Sequence, residues 1–409
     1  RKGAGTVALP IWHNDIMDFF DIQTEVGDPR SKSFDIQPQV CFMDLFMQKL
    51  EDNPQQEWIT VCPHEVKEKL GIVLPNMYNE DFVEAYSEIE KAVEDGVLKV
   101  FTKYKVIDLW RKYLQVFFEK GRPYAGFMCK VNRDNPNKHD GFIYCLNLCV
   151  ESFSNTKPDV YHHTCSLASL VVGRIAVNEL SNKASSLTRL LNNGMMITKA
   201  PVVESENHLR DYRTIGVGIQ GLADILAREW KSYEDLDFIT EVCERIQYGC
   251  VRESIQMAKE YSPYPKFKGS RWDVGDIFDE YHKNSVCPDL DWLEQKQLCK
   301  QYGIYNSQLT SPAPNTSTSL FMMASAGFMP HYAEYFYEDN KDGKTPVSSM
   351  YGKDNPIFYA NSVGYFKQHE LTKAVGAGQK FVDTGISAEY VLDRNIHEVT
   401  AKDVSMLVK

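Results

Sequence analysis

The chain has 409 residues, of which 43% are hydrophobic and 25% are charged, a composition typical of a folded globular protein. The formal net charge of -11 argues against nucleic acid as an extended partner, because phosphate binding needs clustered Lys and Arg. No apolar run approaches the roughly 20 residues of a membrane helix, so no membrane association is predicted. The 10 cysteines are scattered, which favours a reducing cytoplasm as the compartment of the protein.

The first half of the chain alternates apolar strands with helices. Strands are predicted at residues 7–12, 34–42 and 122–129, and a short helix at residues 14–22 with Asn14 as its N-cap. Two long helices follow the second strand, and the second of them shows helical spacing of apolar residues from Val106 to Phe117. Gly121 stands where a glycine usually ends a helix.

The second half contains more helix. A strand is predicted at residues 143–152, helices at residues 218–230, 238–261 and 291–302, and a Ser/Thr-rich loop at residues 312–319. No repeat and no linker-like segment interrupts the chain. The sequence therefore predicts an α/β protein with a single domain over residues 1–409.

The strand predicted at residues 143–152 has two unlike faces when its side chains are divided with a period of two. One face carries thiols, an amide and a carboxylate: Cys145, Asn147, Cys149 and Glu151. The other face carries aliphatic side chains: Leu146, Leu148 and Val150. Alternate side chains stand about 6.6 Å apart, so the polar face is spaced to bracket a sugar ring. The alternative is a half-buried strand whose polar side chains satisfy one another.

A zinc site is another interpretation of the same region. Cysteine and histidine are the usual zinc ligands, and the segment contains several of them: Cys145, Cys149, His162, His163 and Cys165. Structural zinc sites usually carry closely paired cysteines on turns, whereas Cys145 and Cys149 alternate with aliphatic residues. We therefore predict no metal site in the chain.

The segment GVGIQG, residues 216–221, satisfies the glycine pattern of dinucleotide-binding folds. That fingerprint needs an apolar strand directly before it, and the preceding HLRDYRT is not apolar. A helix start that packs closely on a neighbouring element is the favoured interpretation.

The loop PAPNTSTS, residues 312–319, precedes the apolar segment LFMMASAG. Backbone amides and hydroxyls at a helix start form a ready anion site, so this loop is a candidate phosphate-binding loop. An ordinary helix-capping loop is the alternative. A phosphate bound there would fit a nucleotide whose ribose lies on the Cys149 segment.

Together these motifs resemble the large catalytic subunit of class I ribonucleotide reductase. The resemblance rests on NLCVE at residues 147–151, CSLASL at 165–170 and PNTSTS at 314–319. It extends through RKGAGTVALPIWHNDIMDFFDI at the start, RTIGVGIQGLAD in the middle and QKFVDTGIS near the end. Cobalamin-dependent class II enzymes usually have NPCGE in place of NLCVE.

The resemblance implies a ten-stranded α/β barrel of the ribonucleotide reductase and glycyl-radical type, with Cys149 at the tip of a loop inside it. Cys149 would become the thiyl radical that removes the 3′ hydrogen of the ribose. Glu151 would take the 3′-hydroxyl proton as general base, and Asn147 would hydrogen-bond the surrounding hydroxyls. Cys165 would be one of two thiols that reduce the 2′ carbon and end as a disulfide.

The same resemblance implies which residues contact the substrate and which respond to an effector. The substrate would contact the N-terminal segment, the Cys149 segment and the phosphate loop: Gly3, Asn147, Leu148, Cys149, Val150, Glu151, Pro314, Asn315, Thr316, Ser317 and Thr318. A second loop would relay the binding of a nucleoside triphosphate effector to the active site: Arg30, Ser31, Lys32 and Ser33.

The chain departs from the family pattern at both ends. No residue takes the place of the other reducing cysteine, since Cys41 lies in a different segment, and no Tyr-Tyr pair is present to pass the radical inward. The last cysteine is Cys299, so the cysteine-bearing tail that re-reduces the active site is not found. We therefore expect the chain to form the second half of the barrel, incomplete at both ends, and to be inactive alone.

The resemblance implies several partners and no directly bound cofactor. The radical would come from a metal-containing small subunit, and thioredoxin or glutaredoxin would supply the electrons. A homodimer is expected in the complete enzyme, and a separately encoded chain is one source of the missing barrel half. Two alternatives stay open: an adenosylcobalamin-dependent class II reductase, and an inactive fragment that serves as a nucleotide-binding scaffold.

Overall fold

The computed structural model of the protein describes residues 3–340, 343–349, 351, 355, 357, 361–363, 368–391, 402, 405 and 406. Two units divide the chain. The first comprises Arg1–Asp134, Phe142–Leu148 and Val399–Lys409, and the second comprises Asn135–Gly141 and Cys149–Glu398. The single domain expected over residues 1–409 stays a prediction.

The first unit alternates strands and helices along its described residues. Its strands are β1 (Gly5–Pro10), β2 (Ile36–Phe42), β3 (Glu57–Val61), β4 (Phe101–Lys105) and β5 (Tyr124–Phe127). Its helices are α1 (Ile16–Phe20), α2 (Asp44–Asp52), α3 (Pro63–Leu70), α4 (Asn79–Glu94), α5 (Val106–Lys120) and α6 (Met128–Asp134). The strands β1, β2 and β5 form a parallel sheet in the order β1-β2-β5, whereas β3 and β4 pair antiparallel.

Aromatic side chains fill the core of the first unit. The Trp58 ring of β3 stacks on Tyr86 of α4 with 4.4 Å between ring centroids. Tyr113 of α5 meets Phe42 of β2 edge-on at 5.1 Å. Trp58 Nε1 donates a hydrogen bond of 3.0 Å to the carbonyl of Ile11, so the indole N–H is paired although the side chain is fully buried.

Most predicted elements of this unit are present. The strands predicted at residues 7–12, 34–42 and 122–129 are confirmed as β1, β2 and β5, with ends shifted by a few residues. The helix predicted to end before Gly121 is confirmed as α5, and Gly121 has a left-handed φ of 68°. Glycine adopts that conformation without steric cost, which explains its position after the last turn.

The N-cap prediction for Asn14 is wrong. The helix α1 begins at Ile16, and no side-chain hydrogen bond caps it. Asn14 Oδ1 instead accepts from the hydroxyls of Thr60 and Thr102, at 3.3 and 3.1 Å. These contacts join segments that are distant in sequence, so local pattern could not reveal them.

The second unit is richer in helix along its described residues. Its strands are β6 (Leu167–Val171), β7 (Gly216–Gln220), β8 (Tyr335–Asn340) and β9 (Gly343–Ser348). Its helices are α7 (Leu180–Ile197), α8 (Val203–Tyr212), α9 (Leu222–Arg228), α10 (Leu236–Glu260), α11 (Arg271–Val274), α12 (Asp276–Asn284), α13 (Trp292–Tyr302), α14 (Thr316–Met322) and α15 (Gln368–Gln379). The strands β6 and β7 pair parallel, and β8 and β9 form an antiparallel hairpin. The helices predicted at residues 238–261 and 291–302 are confirmed as α10 and α13.

The helices α7 and α10 approach each other until their backbones touch. A Cβ atom at Gly249 of α10 would lie 2.1 Å from the carbonyl oxygen of Ser181, the second residue of α7. Ser181 Oγ donates to the carbonyl of Arg245, and Ser185 Oγ donates to the carbonyl of Gly249, both over 2.8 Å. The contact therefore depends on a glycine on one helix and small hydroxyl side chains on the other.

The segment GVGIQG forms a strand, so the helix predicted from Gly218 is wrong at its start. Residues 216–220 are β7, and the helix α9 begins only at Leu222. A Cβ at Gly216 would lie only 2.6 Å from the Cβ of Ser311. This close packing leaves no room for a side chain and explains why glycine occupies the position. The first two glycines lie within the strand and not on the turn after it, unlike the dinucleotide fingerprint.

The mixed α/β class is confirmed by this architecture. The described residues form one sheet of three strands and three sheets of two strands, and no closed barrel is present among them. The ten-stranded barrel therefore stays a prediction. Within the same described residues, no helix has both the length and the apolar composition needed to cross a membrane.

We expect Gly249→Ala to lower the free energy of unfolding by about 1–3 kcal/mol, because the new methyl group would overlap the backbone of Ser181. Urea denaturation of the purified chain measures the change. Gly194→Ala in α7 is the control, since its added Cβ would have no atom within 4 Å apart from its chain neighbours and the backbone of its own helix, and it should raise stability by about 0.5–1 kcal/mol. Equal effects of the two substitutions would contradict the packing described.

Candidate active site

Cys149 lies on a turn, and the strand predicted at residues 143–152 is wrong. The chain turns at Leu148 and Cys149, and Val150 has a positive φ of 61°. A β-branched residue rarely adopts that conformation, which interrupts the regular pleat of a strand. Backbone strain of this kind persists only where surrounding contacts hold it, so the neighbours of the turn are informative.

Two donors from distant segments hold the turn in place. The carbonyl oxygen of Glu151 accepts a hydrogen bond of 3.1 Å from the Gly385 N–H and one of 2.7 Å from Ser311 Oγ. A Cβ atom at Gly385 would lie only 2.5 Å from the carbonyl oxygen of Val150. A side chain at position 385 would therefore overlap the Cys149 turn, which explains the glycine in the segment QKFVDTGIS.

A buried carboxylate fixes the two anchoring segments to each other. Asp383 Oδ1 accepts from Tyr281 Oη over 2.8 Å and from Gln247 Nε2 over 2.7 Å. Asp383 Oδ2 accepts from the Leu309 N–H over 2.7 Å, and the Asp383 N–H donates to Thr310 Oγ1 over 3.0 Å. Burial raises the pKa of Asp383 to about 6, although the hydrogen bonds that the carboxylate accepts oppose the rise.

Cys149, Glu151 and Cys165 influence one another's charge. Burial raises the pKa of the Cys149 thiol, and the charges of Glu151 and then Cys165 raise it further. Burial also raises the pKa of Cys165, and Glu151 again acts in the same direction. The side chain of Glu151 is buried with 2% exposure. The second unit thus places one buried carboxylate next to two thiols that stay protonated at neutral pH.

Ser152 and His163 extend this cluster, and sequence reasoning missed their role. The Ser152 hydroxyl hydrogen-bonds the Cys165 thiol and lies 2.8 Å from His163 Nε2. Burial lowers the pKa of His163 to about 4, so its imidazole is neutral at physiological pH. His163 belonged to the zinc interpretation, yet the described residues contain no cluster of three or more His, Cys, Asp or Glu arranged to hold a metal ion.

The candidate phosphate loop is held in shape by its asparagine. Asn315 has a left-handed φ of 58° and directly precedes α14. Its Nδ2 donates to the carbonyls of Ile219 and Ala313 over 3.0 and 2.9 Å, and its Oδ1 accepts from Ser169 Oγ over 3.0 Å. The side chain of Asn315 is therefore engaged within the protein.

The residues that follow Asn315 face solvent. Thr316, Ser317 and Thr318 are exposed, whereas Pro314 is partly buried. They form the first turn of α14, where backbone N–H groups have no acceptor within the helix. The exposed hydroxyls and N–H groups of residues 316–318 are the part of the predicted loop that a ligand can reach.

The other predicted site residues lie in the first unit. Asn147 and Leu148 are partly buried, and Gly3 is exposed ahead of β1 with open space where a Cβ would stand. Of the predicted effector-relay residues, Arg30 and Ser31 lie in a short turn, Pro29–Ser31, and Lys32 and Ser33 directly follow it. Arg30 is exposed and pairs with Asp28 over 2.7 Å, and Lys32 Nζ donates to the Asp21 carbonyl over 2.8 Å. This turn is thus stabilised by its own side chains.

Comparison with known families identifies the class of protein. The family model described as "Ribonucleotide reductase, barrel domain" matches residues 1–408. The chain therefore belongs to the ribonucleotide reductase barrel-domain family. This match confirms the family that the motifs resemble.

Three curated relatives are named ribonucleoside-diphosphate reductase subunit alpha. The protein from Synechocystis sp. is 36% identical, with 97% of this chain and 52% of the relative aligned. The protein from Treponema pallidum is 31% identical over 94% of this chain and 48% of its own length. The protein from Helicobacter pylori is 28% identical over 98% of this chain and 59% of its own length. The chain spans about half the length of these relatives.

We expect Ser311→Ala to cost about 1 kcal/mol of unfolding free energy, because the Glu151 carbonyl would lose one of its two donors. Urea denaturation measures the loss. Ser307→Ala is the matched control: Ser307 is also fully buried, and its hydroxyl has no hydrogen-bond partner among the described residues. If both variants lose the same stability, the carbonyl anchor contributes nothing measurable.

Asp383 should make stability depend on pH. Its pKa rises from 3.8 to about 6 on folding, so the folded chain retains a proton that the unfolded chain releases. The contribution of this carboxyl is therefore greatest below pH 4 and is lost as the pH rises through 6, by about 3 kcal/mol at most. Asp383→Asn removes the titration. The difference in unfolding free energy between the wild-type chain and Asp383→Asn should narrow from pH 4 to pH 7. A constant difference over this range would contradict the prediction.

Proposed function

We propose that this chain is the catalytic part of a class I ribonucleoside-diphosphate reductase large subunit, which reduces ribonucleotides to 2′-deoxyribonucleotides for DNA synthesis. The observation that carries the proposal is the cluster of Cys149, Glu151 and Cys165 in the second unit. Membership of the ribonucleotide reductase family supports it, as do relatives whose names state this activity.

The protonation of the thiols favours radical chemistry over nucleophilic chemistry. A nucleophilic cysteine works as a thiolate and lies in surroundings that lower its pKa. Burial and the charge of Glu151 instead raise the pKa of Cys149, so the intact S–H bond predominates at neutral pH. An intact thiol is what a thiyl radical is made from and what it returns to after it has passed a hydrogen atom back.

In this proposal Cys149 forms the thiyl radical and removes the 3′ hydrogen of the ribose. Glu151 accepts the 3′-hydroxyl proton. Its burial supports this role, because burying a carboxylate costs free energy and a catalytic role accounts for that cost. Cys165 is one of the two thiols that supply two electrons to the 2′ carbon, whose hydroxyl leaves as water, and that end as a disulfide. The partner thiol of Cys165 is not among the residues that we assign.

The loop of residues 314–318 is proposed to bind the diphosphate. Its exposed first helical turn supports this role, because hydroxyls and backbone N–H groups suit phosphate oxygens. The engaged side chain of Asn315 indicates that this residue shapes the loop rather than contacting phosphate. Asn147 and Gly3 keep the substrate-contacting roles that the family resemblance predicts.

The remaining features are proposals by analogy with the family. We propose a ten-stranded barrel, a metal-containing small subunit as the radical source, and a thioredoxin or glutaredoxin as reductant. The name "subunit alpha" of the relatives supports a companion subunit. A homodimer, effector relay through residues 30–33 and a cytoplasmic location belong to the same proposal. The name "subunit alpha" of the relatives does not favour the adenosylcobalamin-dependent alternative, because an adenosylcobalamin-dependent reductase needs no radical-generating partner.

We expect Cys149→Ala to abolish deoxyribonucleotide formation without unfolding the chain, because the radical-forming sulfur is removed. The tagged chain is captured with its companions from its native host and assayed with ribonucleoside diphosphates. Cys62→Ala is the control, because Cys62 is also a partly buried free cysteine and lies in the first unit. Retained turnover in Cys149→Ala would refute the assignment. No product from the folded wild-type complex would favour the nucleotide-binding scaffold.

A further inference from the structure

Cys165 is the end of a short chain of hydrogen-bonded side chains. The Ser152 hydroxyl contacts the Cys165 sulfur on one side and lies 2.8 Å from His163 Nε2 on the other. Ser152 is buried with 4% exposure. Because a hydroxyl has a single hydrogen, Ser152 cannot donate to both the sulfur and the imidazole, and the tautomer of His163 determines whether the imidazole can accept.

The surroundings of His163 settle the tautomer. The other ring nitrogen, Nδ1, is shielded from solvent and has no hydrogen-bond partner among the described residues. Buried N–H groups without an acceptor are rarer than acceptors without a donor, so we assign the hydrogen to Nε2. His163 Nε2–H then donates to Ser152 Oγ, and the Ser152 hydrogen points to the sulfur of Cys165.

The charges around these hydrogen-bonded side chains make the hydrogen bond from Ser152 to Cys165 important. Burial and then the charge of Glu151 oppose a negative sulfur at Cys165, and Cys149 lies close enough to interact with it. Ser152 is the neighbour that favours the thiolate. The ring of His163 faces His208 at 5.1 Å between centroids, and Asp211 acts on His208 from the same helix, α8.

We propose that His163 and Ser152 form a positioning relay that stabilises the thiolate of Cys165 when the active-site disulfide is reduced. This inference rests on the proposed function and deepens it. A dithiol reductant attacks the partner sulfur, the S–S bond breaks, and Cys165 leaves with the electron pair. The reductant then closes its own disulfide, having given up two electrons and two protons, and Cys165 takes up one of the protons. The relay lowers the cost of the intermediate thiolate.

The test measures the pH dependence of iodoacetamide alkylation of Cys165 in the purified chain, with the modified peptide quantified by mass spectrometry. Alkylation follows the thiolate fraction, so no turnover and no partner is needed. Ser152→Ala should slow alkylation about tenfold at pH 8, because a hydrogen bond to a charged sulfur is lost. Ser152→Thr keeps the hydroxyl and should retain the wild-type profile.

Variants of His163 test the second step of the relay. His163→Phe should slow alkylation less than Ser152→Ala, since the hydroxyl remains but loses its orientation, and His163→Gln should restore the rate through its amide donor. Ser154→Ala is the matched control on the same segment, because the buried Ser154 hydroxyl has no partner among the described residues. If Ser152→Ala does not fold, the pair His163→Phe and His163→Gln still decides the matter.

Two results would overturn the relay: an unchanged profile in Ser152→Ala and His163→Phe, or faster alkylation of Ser152→Ala. The second would mean that Ser152 donates to His163 and accepts from the thiol. Failure of the proposed function is separate, because it appears as turnover by Cys149→Ala or as no product from the native complex. If the alkylation profiles shift but the proposed function fails its test, the relay remains a property of the Cys165 thiol and the reductase assignment is rejected.

Discussion

The anchoring of the Glu151 carbonyl is the interaction on which the candidate site depends. Gly385 and Ser311 donate to this oxygen from two different segments and hold Val150 at a positive φ. Without these donors the strained turn would relax, and Cys149 would lose its fixed place beside Glu151 and Cys165. Asp383 extends the same constraint, because it joins the segment of Gly385 to the segment that leads into the phosphate loop.

Electrostatics then determine what the fixed side chains can do. Burial and then the charge of the buried Glu151 carboxylate raise the pKa of both the Cys149 and the Cys165 thiol, which keeps them as hydrogen donors and suppresses nucleophilic reactivity. The same negative environment would make a thiolate costly at Cys165 in the proposed opening of the active-site disulfide. Ser152 and His163 offset that cost with neutral donors, and burial keeps His163 neutral so that it adds no charge of its own.

Much of the regular structure was predictable from the sequence. The strands β1, β2 and β5 and the helices α5, α10 and α13 follow from apolar periodicity and from helix-ending signals such as Gly121. The predictions failed where partners distant in sequence decide the backbone. Asn14 caps no helix, because its oxygen accepts from β3 and β4 hydroxyls, and residues 216–220 form a strand because they pair with β6. The strands β3 and β4 themselves were missed.

The motifs NLCVE, CSLASL and PNTSTS were enough to identify the family and the reactive residue types, because they form a specific combination that the family match confirms. The folded chain was needed to find that Cys149 lies on a turn, that the charge of the buried Glu151 acts on both thiols, and that Ser152 hydrogen-bonds both Cys165 and His163. These facts depend on burial and on hydrogen bonds between segments more than 10 residues apart, such as the one from Ser311 to Glu151, which local periodicity does not encode.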